Sequence, residues 1–325
     1  MTSKPAISIL VPCYNVEKYL RECLDSIMNQ TFTDYEAICI NDGSTDTTLS
    51  ILEEYAAKDS RFKIIDKKNS GYGASMNKGL DAATGKYIGI VESDDYIEPE
   101  MFEHLYKEAK EHSLDLVRCL YREFNDMKSS VRIVDDSKIK LYEFGKVFEP
   151  KEQKHIFFIA PAIWAGMYNR EFLNANNIRF LETPGASYQD TSFAFKVYAS
   201  AKRVKVIPEV LHNYRINENS SVNSPGKIYF VCDEEAEIRR YAEEKGLSEE
   251  LKEVMAMRCF GTYRWNYDRL GTLPLKRQFM KRWSKELRQM FENKEMTGRF
   301  LSRNRRFRLW LAAYCPWVYH FIKKF

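Results

Sequence analysis

The chain has 325 residues, a net charge of +4 and a 44 % share of hydrophobic residues. That length suits one large domain with an appendage, or two domains, and the hydrophobic share is enough for a real core. The near-balanced charge excludes a protein that binds nucleic acid over its whole surface.

The start, "MTSKPAISILVPCYN", has too short an apolar run for a signal peptide, and no run of about 18 apolar residues follows. The seven cysteines lie scattered without CxxC pairs or histidines at zinc spacing. That argues against a disulfide framework or zinc site and for a reducing compartment. A cytoplasmic protein is expected.

In chain order, "AISILVPCYN" (6–15) reads as a buried strand ended by Pro12 and Asn15. "VEKYLRECLDSIMNQ" (16–30) puts Leu20, Leu24, Ile27 and Met28 on one helical face. "YEAICIND" (35–42) is a second strand. "TDTTLSILEEYAAKD" (45–59) is a helix capped by Thr45 or Asp46. "FKIID" (62–66) is a third strand, "GASMNKGLDAA" (73–83) a helix and "KYIGIVE" (86–92) a fourth strand. Pro99 opens the next helix, and "DLVRCLYREF" (115–124) is a strand. This alternation predicts βαβ units and a parallel sheet covered on both faces.

Residues 125–155 read as loop or hairpin. A second block follows from Pro161, with a loop at 181–190, a helix at 191–201 and two strands, "RVKVIPE" and "VLHNYRIN". Beyond about residue 226 only helices are expected, at 226–245, 248–270 and 274–292. No repeat or low-complexity linker occurs.

In an open parallel sheet, ligands bind outside the carboxyl ends of the strands. Three polar clusters fall there: "PCYN" (12–15), "NDGSTD" (41–46) and "ESDD" (92–95). Each alone fits an ordinary turn or a solvated loop. Together they make an acidic rim, which holds a phosphate only through a divalent cation, Mn²⁺ or Mg²⁺. No GxxxxGK[ST] occurs, and no GxGxxG follows the first strand. A nucleotide diphosphate held through a metal fits best.

"VPCYN", "NDGSTD", "NKGLDAATGKYIGIVESDD" and "YQDTSFAFK", in this order, resemble the inverting family-2 glycosyltransferases of GT-A fold over about residues 6–220. "MYNREFLNANNIRFLETPGASYQD" resembles members that build bacterial surface polysaccharides. The resemblance implies an α/β GT-A domain over 1–225, with a nucleotide part (about 1–124), an acceptor part (about 155–225) and a helical extension over 226–325. It places Pro12, Tyr14, Asn15, Asp42, Asn69, Lys78, Glu92, Ser93 and Asp94 at the nucleotide, with Asp42 on uracil N3. It gives the metal to Asp94 and Asp95.

Relatives carry Arg where this chain has Met76, and Lys78 is a candidate substitute. Glu92 stands where Asp is commoner, and Gln189 where Glu is. The resemblance makes Asp190 the catalytic base, while local pattern alone makes it a helix N-cap. His212, Arg215, Ser220 and Ser221 are candidates for diphosphate or metal contacts, although His212 equally suits a plain strand position. The implied reaction moves a sugar from a nucleotide-sugar donor, with UDP favoured, to a glycan or lipid-linked hydroxyl. The alternatives are a nucleotide-sugar binding protein and a nucleotidyltransferase.

Residues 297–325 contain no acid. Arg299, Arg303, Arg305, Arg306, Arg308, Lys323 and Lys324 alternate with Phe307, Trp310, Tyr314 and Trp317, and Pro316 breaks the run. Such a segment can lie on an anionic membrane at its inner face, or its aromatic residues can pack back as core. The acidic rim makes nucleic acid a poor partner.

Overall fold

The computed structural model describes residues 4–125, 130–134, 145–216, 227–296 and 303–322. The chain forms two compact units, Met1–Glu218 and Asn219–Phe325.

The first unit is built on one sheet. β1 (Ile7–Cys13) and β2 (Tyr35–Asn41) are buried along their whole length, as continuous apolar strands between two helical layers should be. β3 (Phe62–Asp66) and β4 (Tyr87–Ile90) flank them, and the order β3-β2-β1-β4 is parallel throughout. The helices between them are α1 (Glu17–Met28), α2 (Thr48–Lys58) and α3 (Tyr72–Ala82). α1 turns Leu20, Cys23, Leu24 and Ile27 into the core.

Beyond β4 the strand sense changes. β9 (Gly166–Asn169) runs antiparallel to both β4 and β6 (Leu116–Asn125). β10 (Val204–Arg215) is parallel to β6, and the short β5 (Tyr96–Ile97) closes antiparallel on β10. β7 (Ser130–Val134) pairs antiparallel with β6, and β8 (Val147–Phe148) with β10. The sheet is therefore mostly parallel by paired residues, with an antiparallel insertion at β9 that a purely βαβ reading misses. α4 (Met101–Glu111), α5 (Arg170–Ala175) and α6 (Gln189–Ser200) complete this unit.

Four local expectations need correction. The second helix starts at Thr48 rather than 45. Asp46 still serves its end, because its Oδ1 accepts the Thr48 backbone N–H at 3.0 Å. Pro99 lies two residues ahead of α4, its carbonyl taken by the Thr31 N–H at 2.9 Å. α6 begins at Gln189, after Tyr188 in a left-handed conformation (φ 67°), so Asp190 lies in the first turn rather than at the cap. The two strands expected over 203–217 are one, β10, with register shifts between Val206, Val210 and His212.

The second unit is helical: α7 (Phe230–Glu244), α8 (Ser248–Arg269), α9 (Leu273–Glu292), α10 (Arg303–Tyr314) and α11 (Pro316–Ile322). Its core gathers around Trp283, with Tyr263, Tyr267 and Tyr319 in edge or tilted ring contacts. Pro316 starts α11, where its missing N–H costs nothing. Among the described residues, no helix is long and apolar enough to cross a membrane. All seven cysteines are free.

Candidate active site

The site grows from the carboxyl ends of β1, β2 and β4. At the end of β1, Asn15 takes a left-handed turn (φ 50°). Its Oδ1 accepts the Thr45 N–H at 2.8 Å, and its own N–H donates to Ser44 Oγ at 3.0 Å. Asn15 thus sews the first two strand-end loops together. Pro12 is buried within β1, while Tyr14 is half exposed at the rim.

At the end of β2, Asp42 is buried and anchors the loop before α3. It accepts the N–H groups of Ser70 and Gly71, each at 2.9 Å, and pairs with Lys67. A carboxylate offers about four acceptor positions, so three donors leave one. Asn69, on the anchored loop, is exposed. Lys78 is also exposed, about 200° around α3 from Met76 at 3.6 residues per turn. Because Met76 is fully buried, Lys78 does not take over its direction.

"ESDD" turns by backbone alternation. Ser93 and Asp95 are buried, whereas Glu92 and Asp94 are partly exposed. The Asp95 backbone N–H donates to the Glu92 carbonyl at 3.0 Å, closing the turn. Asp95 points inward: its Oδ1 accepts the Arg215 N–H at 2.8 Å, and its Oδ2 lies 3.0 Å from His212 Nε2.

Burial lowers the His212 imidazole to about 3 and raises the Asp95 carboxyl, with Asp94 adding to the latter. The buried pair is therefore held as a hydrogen bond in which neither charge is favoured. Trp164 stacks on the His212 ring at 4.2 Å. The Arg215 guanidinium donates from Nε to the Asp94 carbonyl at 2.7 Å, pairs with Glu22, and lies over the Tyr19 and Phe124 rings.

His212 and Arg215, expected as diphosphate or metal contacts, are thus buried and engaged on the "ESDD" turn itself. Asp95 is engaged in the same way, and Asp94, the other member of the expected metal pair, is partly exposed. Ser220 and Ser221 lie outside the described residues.

Glu92 faces the other way along the rim. Its Oε1 accepts the Tyr72 hydroxyl at 2.6 Å. Burial pushes its carboxyl up to about 8, helped by the charges of Asp94, Asp95 and Asp190 and opposed by the Tyr72 bond. The same electrostatic coupling reaches Tyr72, Tyr168 and Tyr214 from Asp190. Asp190, in the first turn of α6, directly follows the loop that crosses beside Gly71 and Gly73.

That crossing is tight. The loop over 181–189 runs across the start of α3, where a Cβ on Gly73 would lie 2.1 Å from the Leu181 carbonyl oxygen. One on Gly71 (φ +93°) would lie 2.8 Å from that of Thr183. Asn77 exchanges two hydrogen bonds with the Phe180 backbone, at 2.8 and 3.0 Å. Gln189, buried, binds the loop back on itself. Its Oε1 accepts the Ser187 N–H at 2.6 Å, and its Nε2 donates to Thr183 Oγ1 at 2.8 Å and the Gly185 carbonyl at 3.1 Å. A glutamate could not make the last donation, which gives Gln189 a reason to replace it.

Sequence reasoning missed Tyr72, Gln189's clamp, Trp164 and the two glycines. The closely spaced glycines of "SGYGA" were a signal for close backbone approach. The partners of Tyr72 and Trp164 left no trace in local pattern.

An α/β sheet with three polar strand ends and a carboxylate delivered from a second block defines a class of nucleotide-dependent transferase folds. Residues 8–173 match Glycosyl transferase family 2, and the chain belongs to that family. It is similar to the "Uncharacterized glycosyltransferase EpsJ" of Bacillus subtilis, 36 % identical over 224 residues, covering 69 % of this chain and 64 % of EpsJ.

It is also similar to "Glycosyltransferase GlyG" of Streptococcus pneumoniae serotype 4, 38 % identical over 243 residues, covering 70 % of this chain and 76 % of GlyG. The fold resembles S. aureus TarS 1–349 in complex with UDP, with TM-score 0.68 and 25 % identity, over 88 % of this chain and 80 % of that one. The match to EpsJ spans just under two thirds of that relative's length.

Proposed function

We propose that this chain is an inverting, metal-dependent glycosyltransferase. It moves a sugar from a nucleotide-sugar, UDP-linked by preference, to a hydroxyl of a glycan or lipid-linked acceptor in cell-surface polysaccharide synthesis. The observation that carries this reading is the 181–189 loop packed across the start of α3, which leads directly into Asp190 on α6. It is supported by family membership and by the likeness to a structure solved with UDP.

The rim fits a hard divalent cation by its chemistry. Asp94 offers a partly exposed carboxylate, and Glu92, Asp94 and Asp95 crowd three acidic side chains onto one turn. Among the described residues no three-ligand cluster stands ready. Mg²⁺ and Mn²⁺ sites often use one or two carboxylates and take the rest from phosphate and water. Asp94 would hold the ion, which when bound supplies Lewis-acid stabilisation of the departing diphosphate.

The protein's own residues do the remaining work. The free acceptor position of Asp42 receives uracil N3–H, and Tyr14 offers a ring face at the rim. Glu92, fixed by Tyr72, orients the ribose. Asp190 takes the proton from the acceptor hydroxyl as its oxygen bonds to the anomeric carbon from the face opposite the nucleotide. The glycosidic bond to phosphate breaks, and the configuration inverts. Lying in the first turn of α6, Asp190 keeps its charged form stabilised by the helix N-terminus.

The test is a panel of UDP-, GDP- and dTDP-sugars, each with Mn²⁺ or Mg²⁺, scored for donor hydrolysis and for transfer. Turnover of one nucleotide class that disappears with chelator and returns with Mn²⁺ is expected. Binding of every donor without turnover under any metal condition would leave a binding protein instead.

A further inference from the structure

A surface helix usually keeps large aromatic rings out of water, yet α10 exposes three of them alongside Arg303, Asn304, Arg306 and Arg308. Phe307, Trp310 and Tyr314 are 59 %, 44 % and 41 % exposed. With Arg303 they recur at four-, three- and four-residue steps, so they share one face. The opposite face is already satisfied, since Leu309, Ala312 and Ala313 are fully buried. The three exposed rings form a ladder, with centroids 6.4 Å apart from Phe307 to Trp310 and 5.6 Å from Trp310 to Tyr314. On α11, Trp317 and Val318 are 53 % and 44 % exposed.

The neighbouring helix supplies the charge. The exposed residues Arg277, Lys281, Lys285 and Arg288 make one basic stripe along α9, ending at Glu292. The stripe and the rings are physically joined. Arg288 lies over Tyr314 at 5.6 Å and donates to the Ala313 carbonyl at 2.8 Å, and Arg277 lies over Trp317 at 4.9 Å. α10 and α11 contain no acid. An apolar aromatic face bordered by cations matches the boundary between acyl chains and anionic headgroups, where Trp and Tyr settle and arginine reaches phosphate.

We propose that the α9–α11 face of the second unit is a docking surface for an anionic lipid bilayer. Part of the aromatic tail packs as core, through Leu309, Leu311 and Tyr319, and part faces outward, so the two uses of the segment coexist. The α9 stripe lies upstream of α10 and α11 and borders their exposed rings. The proposal does not require sugar transfer, because it is read by partition alone.

Removing the tail would uncover the core around Trp283, so point variants serve better. The full-length chain is floated with vesicles of phosphatidylcholine alone or with about 30 % phosphatidylglycerol, and its oligomeric state is followed by analytical ultracentrifugation. Wild type should float with the anionic vesicles, less so in high salt, and stay behind with the neutral ones. Phe307→Ser/Trp310→Ser should lose most of that binding while keeping its melting temperature and donor hydrolysis.

Lys281→Gln/Lys285→Gln, at exposed positions, should weaken it by about 25-fold, at about fivefold for each cation near the surface. Wild type that stays behind with anionic vesicles would overturn the proposal, as would either variant floating like wild type. So would a wild-type dimer that the aromatic variant dissolves, which would assign the face to a second copy.

Discussion

The two halves of the first unit's sheet use polar residues in opposite ways. In the half made of β3, β2, β1 and β4, polar residues at strand ends join neighbouring loops and still reach the rim. Asn15 joins the loop at Thr45, and Asp42 holds Ser70 and Gly71 while keeping one acceptor position. In the half made of β9, β6, β10 and β5, the polar residues that look most like ligands are consumed as clamps. His212 and Arg215 hold Asp95 and the Asp94 carbonyl, and Gln189 holds its own loop.

The difference follows from topology. Parallel strands all end at one edge, so their polar ends face a common opening. A mixed half must bring its groups to that edge by long connections, and each connection needs fastening. The lesson is that the chemistry of a residue at this rim depends on which half delivers it.

The comparison breaks most sharply at Asp190, the one second-half residue read as reacting. Asp190→Asn should keep donor binding by calorimetry and lose about 10²–10⁴ of the transfer rate, the usual worth of a general base. Unchanged turnover would return Asp190 to a structural part.

The junction between halves comes next. Gly73→Ala would put a methyl group against the Leu181 carbonyl, and overpacking of this kind costs about 1–3 kcal/mol or more. Lower stability in urea, with transfer reduced more than donor binding, would show that the crossing positions Asp190.

Asp95→Ala should cost about 2–3 kcal/mol, because it leaves the His212 ring and the Arg215 N–H buried without their partner. An Asp95→Ala variant that melts like wild type in thermal unfolding would show that this buried hydrogen-bonded turn contributes no stability.

The smallest expected effect lies in the first half, far from chemistry. Glu36 is buried, and desolvation there would raise its pKa. Hydrogen bonds from Lys63, Ser8 and Thr84 outweigh that and hold it at about 2. A carboxyl depressed in the folded state stabilises above its unfolded pKa near 4.5 and loses that contribution as pH falls toward 2. Glu36→Gln should therefore be less stable by about 2 kcal/mol at pH 7, with the gap to wild type closing below about pH 4 in urea titrations.

Legibility followed the same division. β3 was readable to the residue, and α1, β2 and α3 to within one or two, because apolar runs and helical periods act over short range. Pro99 and the start of α6 were misplaced because their backbones are set by distant partners, the Thr31 N–H and the glycines of α3. Of the rim, the three clusters stood out by residue type, whereas Asp190 was singled out only by family resemblance. The inward turn of Asp95 and the Tyr72–Glu92 bond did not stand out, since each depends on a partner brought in by folding.

The order of strands and helices, the acidic character of the rim and the basic, acid-free tail were written in the chain itself, because hydrophobic period and charge are local properties. Which carboxylates face outward, which cations serve as clamps, and which aromatic residues of the tail meet water were settled only in three dimensions. The reason is the same each time. A side chain's chemistry is decided by whether its polar atoms find protein partners, and for Asp95, His212 and Trp310 that depends on segments that only the tertiary fold brings beside them or leaves away.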